Sequence, residues 1–202
     1  FRDRQAVPGW KFDHRQRISL QNMTRSYAVH AIVFSRKKLG EADLLLTIFT
    51  KEKGKLAVIA KGVRKVTSRK RGTLDTFSLV KLQLAKTKSL DIVTESELID
   101  SFHSWKKNLK KVALAYYLVE IVDKLTREGE PHYEVFDYLC FALESLGEIQ
   151  KLRTEKEEFS KNVLVSLGFW RKNSPIVNSQ ELLESIIEKR LFTPRVGKRL
   201  LS

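Results

Sequence analysis

Residues 43–63 read DLLLTIFTKEKGKLAVIAKGV and decide the fold class. Two runs rich in apolar and β-branched residues, 43–51 and 55–63, flank the polar segment EKG at 52–54. Apolar runs of this length joined by a short glycine-containing turn are typical of two antiparallel strands in a hairpin. The stretch therefore predicts β-structure in this part of the chain.

The neighbouring segments continue the same pattern. Further strand-like runs cover residues 27–36, 74–86 and 89–102, and the second of them alternates apolar with polar side chains around Val80, Leu82 and Leu84. Five strands with short turns in fewer than eighty residues favour a small closed or nearly closed barrel, because closure removes exposed strand edges.

After residue 105 the apolar residues recur with the period of an α-helix. Thr154 followed by Glu157 matches a capping box, and Gly168 is expected to end that helix. The predicted helices are 108–127, 132–146, one opened by Thr154, one opened by Ser179 and a short one from Thr193. We therefore predict an α+β protein with a barrel domain at 23–104 and an all-α helical domain at 105–202.

Residues 1–22 show neither strand nor helix periodicity, and the only methionine of the chain is Met23. We expect the native protein to begin at Met23 and residues 1–22 to be a non-native or disordered extension. The alternative is a basic arm, because this segment carries five basic side chains against two acidic ones.

The charge is strongly positive. The 202 residues hold 38 Lys and Arg against 24 Asp and Glu, a net charge of +14. Residues 23–105 hold 16 basic and 8 acidic side chains, a net charge of +8, so the predicted barrel is the basic part. Such an imbalance favours polyanionic partners, either nucleic acid or an anionic membrane surface.

The basic charge is densest in KGVRKVTSRKRG at residues 61–72, between two predicted strands. A second basic run, residues 36–38, lies at the end of the first predicted strand. In a small barrel these loops would crowd one rim, where cations and hydroxyls suit phosphate oxygens. The predicted DNA-binding residues are Arg36, Lys37, Lys38, Lys61, Arg64, Lys65, Ser68, Arg69, Lys70 and Arg71.

The alternative interpretation of this run is a merely solvated loop. If six side chains of residues 61–72 met phosphates, the salt slope of binding would be about −5 on duplex and about −4 on single strands. Strands two and three carry only one aromatic residue, Phe49, and we expect it to be core, as we expect Tyr27, Phe34 and Phe77 to be packed. That pattern favours backbone contacts over base stacking.

The sequence gives little support for a metal site, a nucleotide-binding loop, a disulfide or a membrane span. The histidines His14, His30, His103 and His132 stand singly, and no glycine-rich phosphate loop is present. The single cysteine, Cys140, allows no internal disulfide or multi-cysteine zinc site. The longest apolar run, 113–122, contains an acidic residue and is far shorter than a membrane span. We expect a cytoplasmic, non-enzymatic protein without a cofactor.

Several motifs in order resemble the RecO recombination mediators. They are the basic turn into GEAD (40–43), LLTIFTKEKGKL (45–56), AKGVRK (60–65) with SRKRG (68–72), and ELIDSF (97–102). EGEPHYEVFDYL (128–139) and FSKNVLVSLGF (159–169) of the helical half fit as well. The resemblance covers residues 23–202.

The resemblance implies an N-terminal OB barrel, binding of single- and double-stranded DNA, and annealing of complementary strands in the bacterial nucleoid. It further implies work with RecR to load RecA onto strands covered by single-strand-binding protein (SSB), whose acidic tail family members engage through the helical domain. Many relatives carry a four-cysteine zinc finger after the LGF-like helix end. Here residues 167–169 run directly into WRKNSPIV, so this is the form without the finger.

Two other functions stay open on the residues alone. One is an RNA-binding barrel linked to translation, which would need discrimination through the 2′-OH. The other is a nuclease using Glu41 and Asp43, although two carboxylates in a turn are far more often turn formers.

Overall fold

The computed structural model describes residues 26–65, 68, 72–171 and 179–187. Five strands come first: β1 Ser26–Leu39, β2 Asp43–Thr50, β3 Gly54–Ala60, β4 Leu79–Ala85 and β5 Asp91–Asp100. A short 3₁₀ helix, His103–Trp105, leads to α1 Leu109–Leu125, α2 Tyr133–Ser145, α3 Leu152–Ser166 and α4 Ser179–Ile187. The predicted α+β fold, strands first and helices after, is confirmed.

The strands form a closed barrel in the order β1-β2-β3-β5-β4. β1 is long enough to pair antiparallel with β2 on one side and with β4 on the other, and a register shift lies between Val33 and Ser35. A short parallel pairing of β3 with β5, Val58 with Asp91 and Ile59 with Ile92, completes the ring. Alternate side chains of the strands fill the interior, among them Val33, Leu46 and Leu82.

The barrel also has an apolar outer patch, and the helices pack on it. Ile32, Phe34, Phe49, Phe77 and Leu79 lie in one buried cluster with residues of all four helices. The Phe34 and Phe49 rings stack at 5.5 Å between centroids, and Phe49 lies 6.1 Å from the ring of Phe136. We call this cluster the barrel–helix interface.

The start of β3 is covered by the α1–α2 connection. The Nζ of Lys55 donates to the carbonyl oxygen of Thr126 at 3.0 Å and lies 3.1 Å from Oδ1 of Asp123. The N–H of Gly129 donates to the Lys55 carbonyl at 2.9 Å, and Lys55 bridges to Glu128 like a parallel strand. Lys55 thus satisfies carbonyls at the end of α1 that the helix itself leaves unpaired.

Several predicted boundaries are wrong. The first strand continues to Leu39 instead of ending at 36, and the third ends at Ala60 instead of 63. Residues 74–78 were predicted to belong to the fourth strand, which begins only at Leu79, and Phe77 has a φ of 71° that no strand residue adopts. The capping box at Thr154 is absent, because α3 begins at Leu152 and no side chain caps it. Gly168, with a φ of 77°, follows the end of α3 as predicted.

The first segment, 1–22, and the predicted helix at Thr193 lie outside the described residues. None of the helices in the described part combines the length and the apolar composition needed to cross a membrane.

Substitution of Gly54 by Ala tests the contact between β3 and the α1–α2 connection. A Cβ at Gly54 would lie 1.9 Å from the carbonyl oxygen of Glu130, and the residue also has a φ of +64°. Gly40 has a similar φ of +58° but nothing within 4 Å, so it serves as the control. We expect Gly40→Ala to cost about 1–2 kcal/mol of unfolding free energy through backbone strain alone.

We expect Gly54→Ala to cost roughly 3 kcal/mol or more, because backbone must move to remove the overlap. Urea denaturation of both variants measures the difference. Equal losses would show that the connection does not press on β3 in solution.

Candidate nucleic-acid interface

The loop between β3 and β4, residues 61–78, is fastened at its start to the β1–β2 turn, residues 40–42, which we call the hairpin tip. The backbone N–H of Arg64 donates to the Ala42 carbonyl at 2.9 Å. The Arg64 guanidinium donates to the Gly40 carbonyl at 3.1 Å, and the N–H of Gly62 donates to Oδ1 of Asp43 at 2.8 Å. The two basic runs predicted from sequence are therefore neighbours.

The cations beside this junction are exposed. Lys37 and Lys38 end β1, and Lys61, Arg64 and Lys65 begin the loop; all five are solvent-exposed. Within the described part of the chain, no carboxylate lies within ion-pair distance of any of the five. We call these five residues the cationic rim. Unpaired exposed cations at one end of a barrel suit the phosphates of a nucleic acid.

The rim residues do not all project from the same side of the sheet. Lys38 is paired with Leu44, whose side chain is buried in the barrel, whereas Lys37 is paired with the half-buried Leu45 on the opposite side. Since cross-strand partners share a face, Lys37 and Lys38 point to opposite faces of the hairpin. A bound strand would have to pass over the hairpin edge to meet both.

Arg36 has a different environment from its neighbours. Its guanidinium forms an ion pair with Asp75 and donates to the Leu74 carbonyl at 3.1 Å. Its side chain keeps 35% exposure, so one side of it still faces solvent. Arg36 thus holds the far end of the loop against β1, which leaves fewer of its donors for a ligand.

Of the remaining predicted residues, Ser68 is half-buried and its N–H donates to the Lys65 carbonyl at 3.0 Å. Arg69, Lys70 and Arg71 lie outside the described residues. Assignment of all ten residues to DNA binding stays a prediction.

Of the acidic residues Glu41 and Asp43, Asp43 has a structural role. Asp43 accepts the Gly62 N–H, as described above, and Glu41 is exposed. Among the described residues, no group of three or more His, Cys, Asp or Glu side chains is arranged to hold a metal ion. Asp43 is a loop-fastening residue.

The aromatic residues of the barrel are packed, as predicted. Phe49 is 0% exposed, Phe34 5% and Phe77 4%. Tyr27 is half-buried; burial raises the pKa of its hydroxyl, and the hydrogen bond and charge of Asp91 raise that pKa further. The described barrel strands therefore present no aromatic side chain suited to stacking with a base.

Sequence reasoning missed one cation at the loop's far end. Lys106 precedes α1, and its Nζ donates to the Thr76 carbonyl at 3.1 Å. Burial lowers the pKa of Lys106, Asp75 partly offsets this, and Arg36 lowers the pKa again, so these groups lie close together. The run KKNLKK at 106–111 was the available signal.

Comparisons with known proteins match both halves. Residues 23–102 match the family model described as Recombination protein O N terminal, and residues 106–169 match Recombination protein O C terminal. The chain is similar to the DNA repair protein RecO of Pelotomaculum thermopropionicum, with 34% identity over 145 residues, 71% of this chain and 56% of that protein. It is similar to the one of Shouchella clausii, with 38% identity over 117 residues, 58% of this chain and 46% of that protein.

A longer match is to the DNA repair protein RecO of Dehalococcoides mccartyi, 29% identical over 171 residues, 85% of this chain and 67% of that protein. The chain spans about half the length of the first curated relatives it matches, between 46% and 56%.

The hydrogen bond from Gly62 to Asp43 can be tested directly. In Asp43→Ala the Gly62 N–H loses its acceptor, so we expect its hydrogen exchange to accelerate about fivefold, the equivalent of about 1 kcal/mol. Glu41→Ala removes the same charge from the same turn and should leave that rate unchanged. An unaltered Gly62 rate in Asp43→Ala would mean that the loop is not fastened there in solution.

Proposed function

The chain belongs to the RecO family, and from that membership we propose that it is a mediator of DNA repair and recombination. It binds single- and double-stranded DNA through phosphates, anneals complementary strands and, with RecR, helps load RecA onto SSB-coated single strands. The role involves no covalent chemistry and no cofactor. The observation that carries the proposal is the cationic rim, whose five exposed cations have no carboxylate partner among the described residues.

The rim explains how annealing would work. Two complementary strands repel each other through their phosphates, and a surface that neutralises some of those charges lets them approach. Because Lys37 and Lys38 point to opposite faces of one hairpin, each face can carry phosphate contacts of its own. Contacts to phosphate carry no sequence information, which fits a protein that must accept any sequence.

The helical half is the proposed site for protein partners. The acidic tail of SSB is assigned to it on family grounds, RecR is placed there as part of the same proposal, and we name no residue for either. RNA binding linked to translation remains the second function to be tested, and RNA–DNA competition separates the two.

The DNA-binding part of the proposal predicts a change in salt dependence. We expect the variant with Lys37, Lys38, Lys61 and Lys65 changed to Ala to bind DNA more weakly. Its plot of log affinity against log salt should be shallower by about 3–4 on duplex and about 3 on single strands, because up to four phosphate contacts are lost. Arg64 is left in place, since its guanidinium also holds the hairpin tip.

The matched control removes four positive charges elsewhere. Lys124, Arg127, Lys151 and Lys161 are exposed residues of the helical half, and changing them to Ala gives the same net charge. If the salt slope becomes shallower by the same amount in both variants, binding depends on overall charge and the assignment of DNA binding to the cationic rim is wrong.

The mediator part of the proposal predicts faster annealing of SSB-coated strands. Annealing of two labelled complementary strands, each coated with SSB, should be faster with the protein than without it. Acceleration on bare strands alone would remove support for the SSB partnership. No acceleration on either, with preferential binding of RNA, would favour the translation-linked function.

A further inference from the structure

Base stacking requires an exposed aromatic ring, and the described barrel strands have none available. One such ring lies nearby on a helix. Tyr116 of α1 is 48% exposed. Its ring centroid lies 4.8 Å from that of Phe77, at 72° between planes, so Tyr116 touches the end of the same loop that begins with the cationic rim.

Packing holds Tyr116 in this position. Phe77 is buried, and its other ring neighbour is Trp105 at 5.6 Å. Trp105 is itself fixed by a hydrogen bond from its Nε1 to the Leu143 carbonyl at 2.7 Å. A ring that is half exposed yet supported by buried aromatic residues loses little side-chain freedom when a base stacks on it.

Cations hold the residues just before Phe77, the residue on which Tyr116 packs. Lys106 is bonded to Thr76, the residue before Phe77, and Arg36 is bonded to Leu74 and Asp75. Lys107 precedes α1 and Lys110 lies in its first turn; both are exposed, and neither has an ion-pair partner among residues that the structure describes.

Strand β1 runs from the surroundings of Phe77 and Tyr116 to the cationic rim. At one end, Val33 exchanges hydrogen bonds with Phe77 and Ser78. At the other, Gly40 of the hairpin tip accepts from Arg64, with Arg36 between the two. Seven residues of extended chain measure roughly 20 Å. That length accommodates several nucleotides, within the range of site sizes of OB barrels.

We propose that Tyr116 is a base-stacking residue for single-stranded DNA whose phosphates run from the cationic rim past Arg36 to Lys106. This inference rests on the proposed function and adds to it a basis for telling strand forms apart. A duplex keeps its bases stacked inside and contacts only the cations, whereas a single strand can also place a base on Tyr116.

The test compares affinities for a single-stranded oligothymidine and for a duplex at one salt concentration. We expect Tyr116→Ala to weaken single-strand binding at least about fivefold and to change duplex binding less than twofold. Tyr116→Phe keeps the ring and should bind like the wild type. Tyr133→Ala removes an exposed tyrosine of α2, 55% exposed, and should change neither affinity.

A second measurement alters the ligand instead of the protein. The wild type should prefer the oligothymidine over one with abasic sites, and Tyr116→Ala should lose that preference. Equal losses on single strand and duplex would mean that Tyr116 acts only by supporting Phe77, and unchanged single-strand binding would exclude stacking there. If the wild type bound neither form of DNA, the proposed function itself would fall, and this inference with it.

Discussion

The barrel–helix interface is the constraint on which the remaining structure depends. β1 is buried on both faces around its middle, since Val33 points into the barrel while Ile32 and Phe34 point into the helices. Burial of a large aliphatic or aromatic side chain contributes about 1.5–3 kcal/mol to stability. Because β1 contributes side chains to two apolar clusters, the stability of the barrel and that of the helices are coupled through this strand. The barrel closes around one face of β1, and the helices gather on the other.

This arrangement also positions the candidate nucleic-acid interface. Phe77 must leave the β-conformation to insert between Trp105 and Tyr116, which makes residues 74–78 a loop pressed against β1. The loop's beginning then returns to the hairpin tip through Arg64. One continuous segment therefore joins the most basic part of the barrel to the first helix.

Much of the fold could be predicted from the sequence, because its signals are local. Alternation at Val80, Leu82 and Leu84 indicates a strand, and the period of 3.6 indicates the helices. The errors arose where tertiary contacts override local preference. Leu152 packs at the helical core and starts α3 ahead of the capping residues at Thr154, and Phe77 is drawn out of the strand by aromatic neighbours.

The candidate site was predictable only as a list of charges. The lysines of the rim can be read from the sequence, but the contacts that hold the loop and the hairpin tip together cannot. Asp43 reaches Gly62 across 19 positions, Arg36 reaches Asp75 across 39, and Lys106 reaches Thr76 across 30. The repeats of strands and helices, two and 3.6 residues, carry no information on contacts between residues so far apart in the chain. The sequence therefore does not show that Arg36 holds a loop while Lys37 and Lys38 remain unpaired.

The contact of the α1–α2 connection with the start of β3 affects how copies of this protein behave at high local concentration. β3 pairs with β5 through only two residue pairs, so the edge around Gly54 and Lys55 would otherwise offer unpaired backbone groups to another chain. The α1–α2 connection occupies that edge through Lys55 and Gly129. Copies brought close together are thereby kept from pairing through this edge into intermolecular sheets, a common route to aggregation.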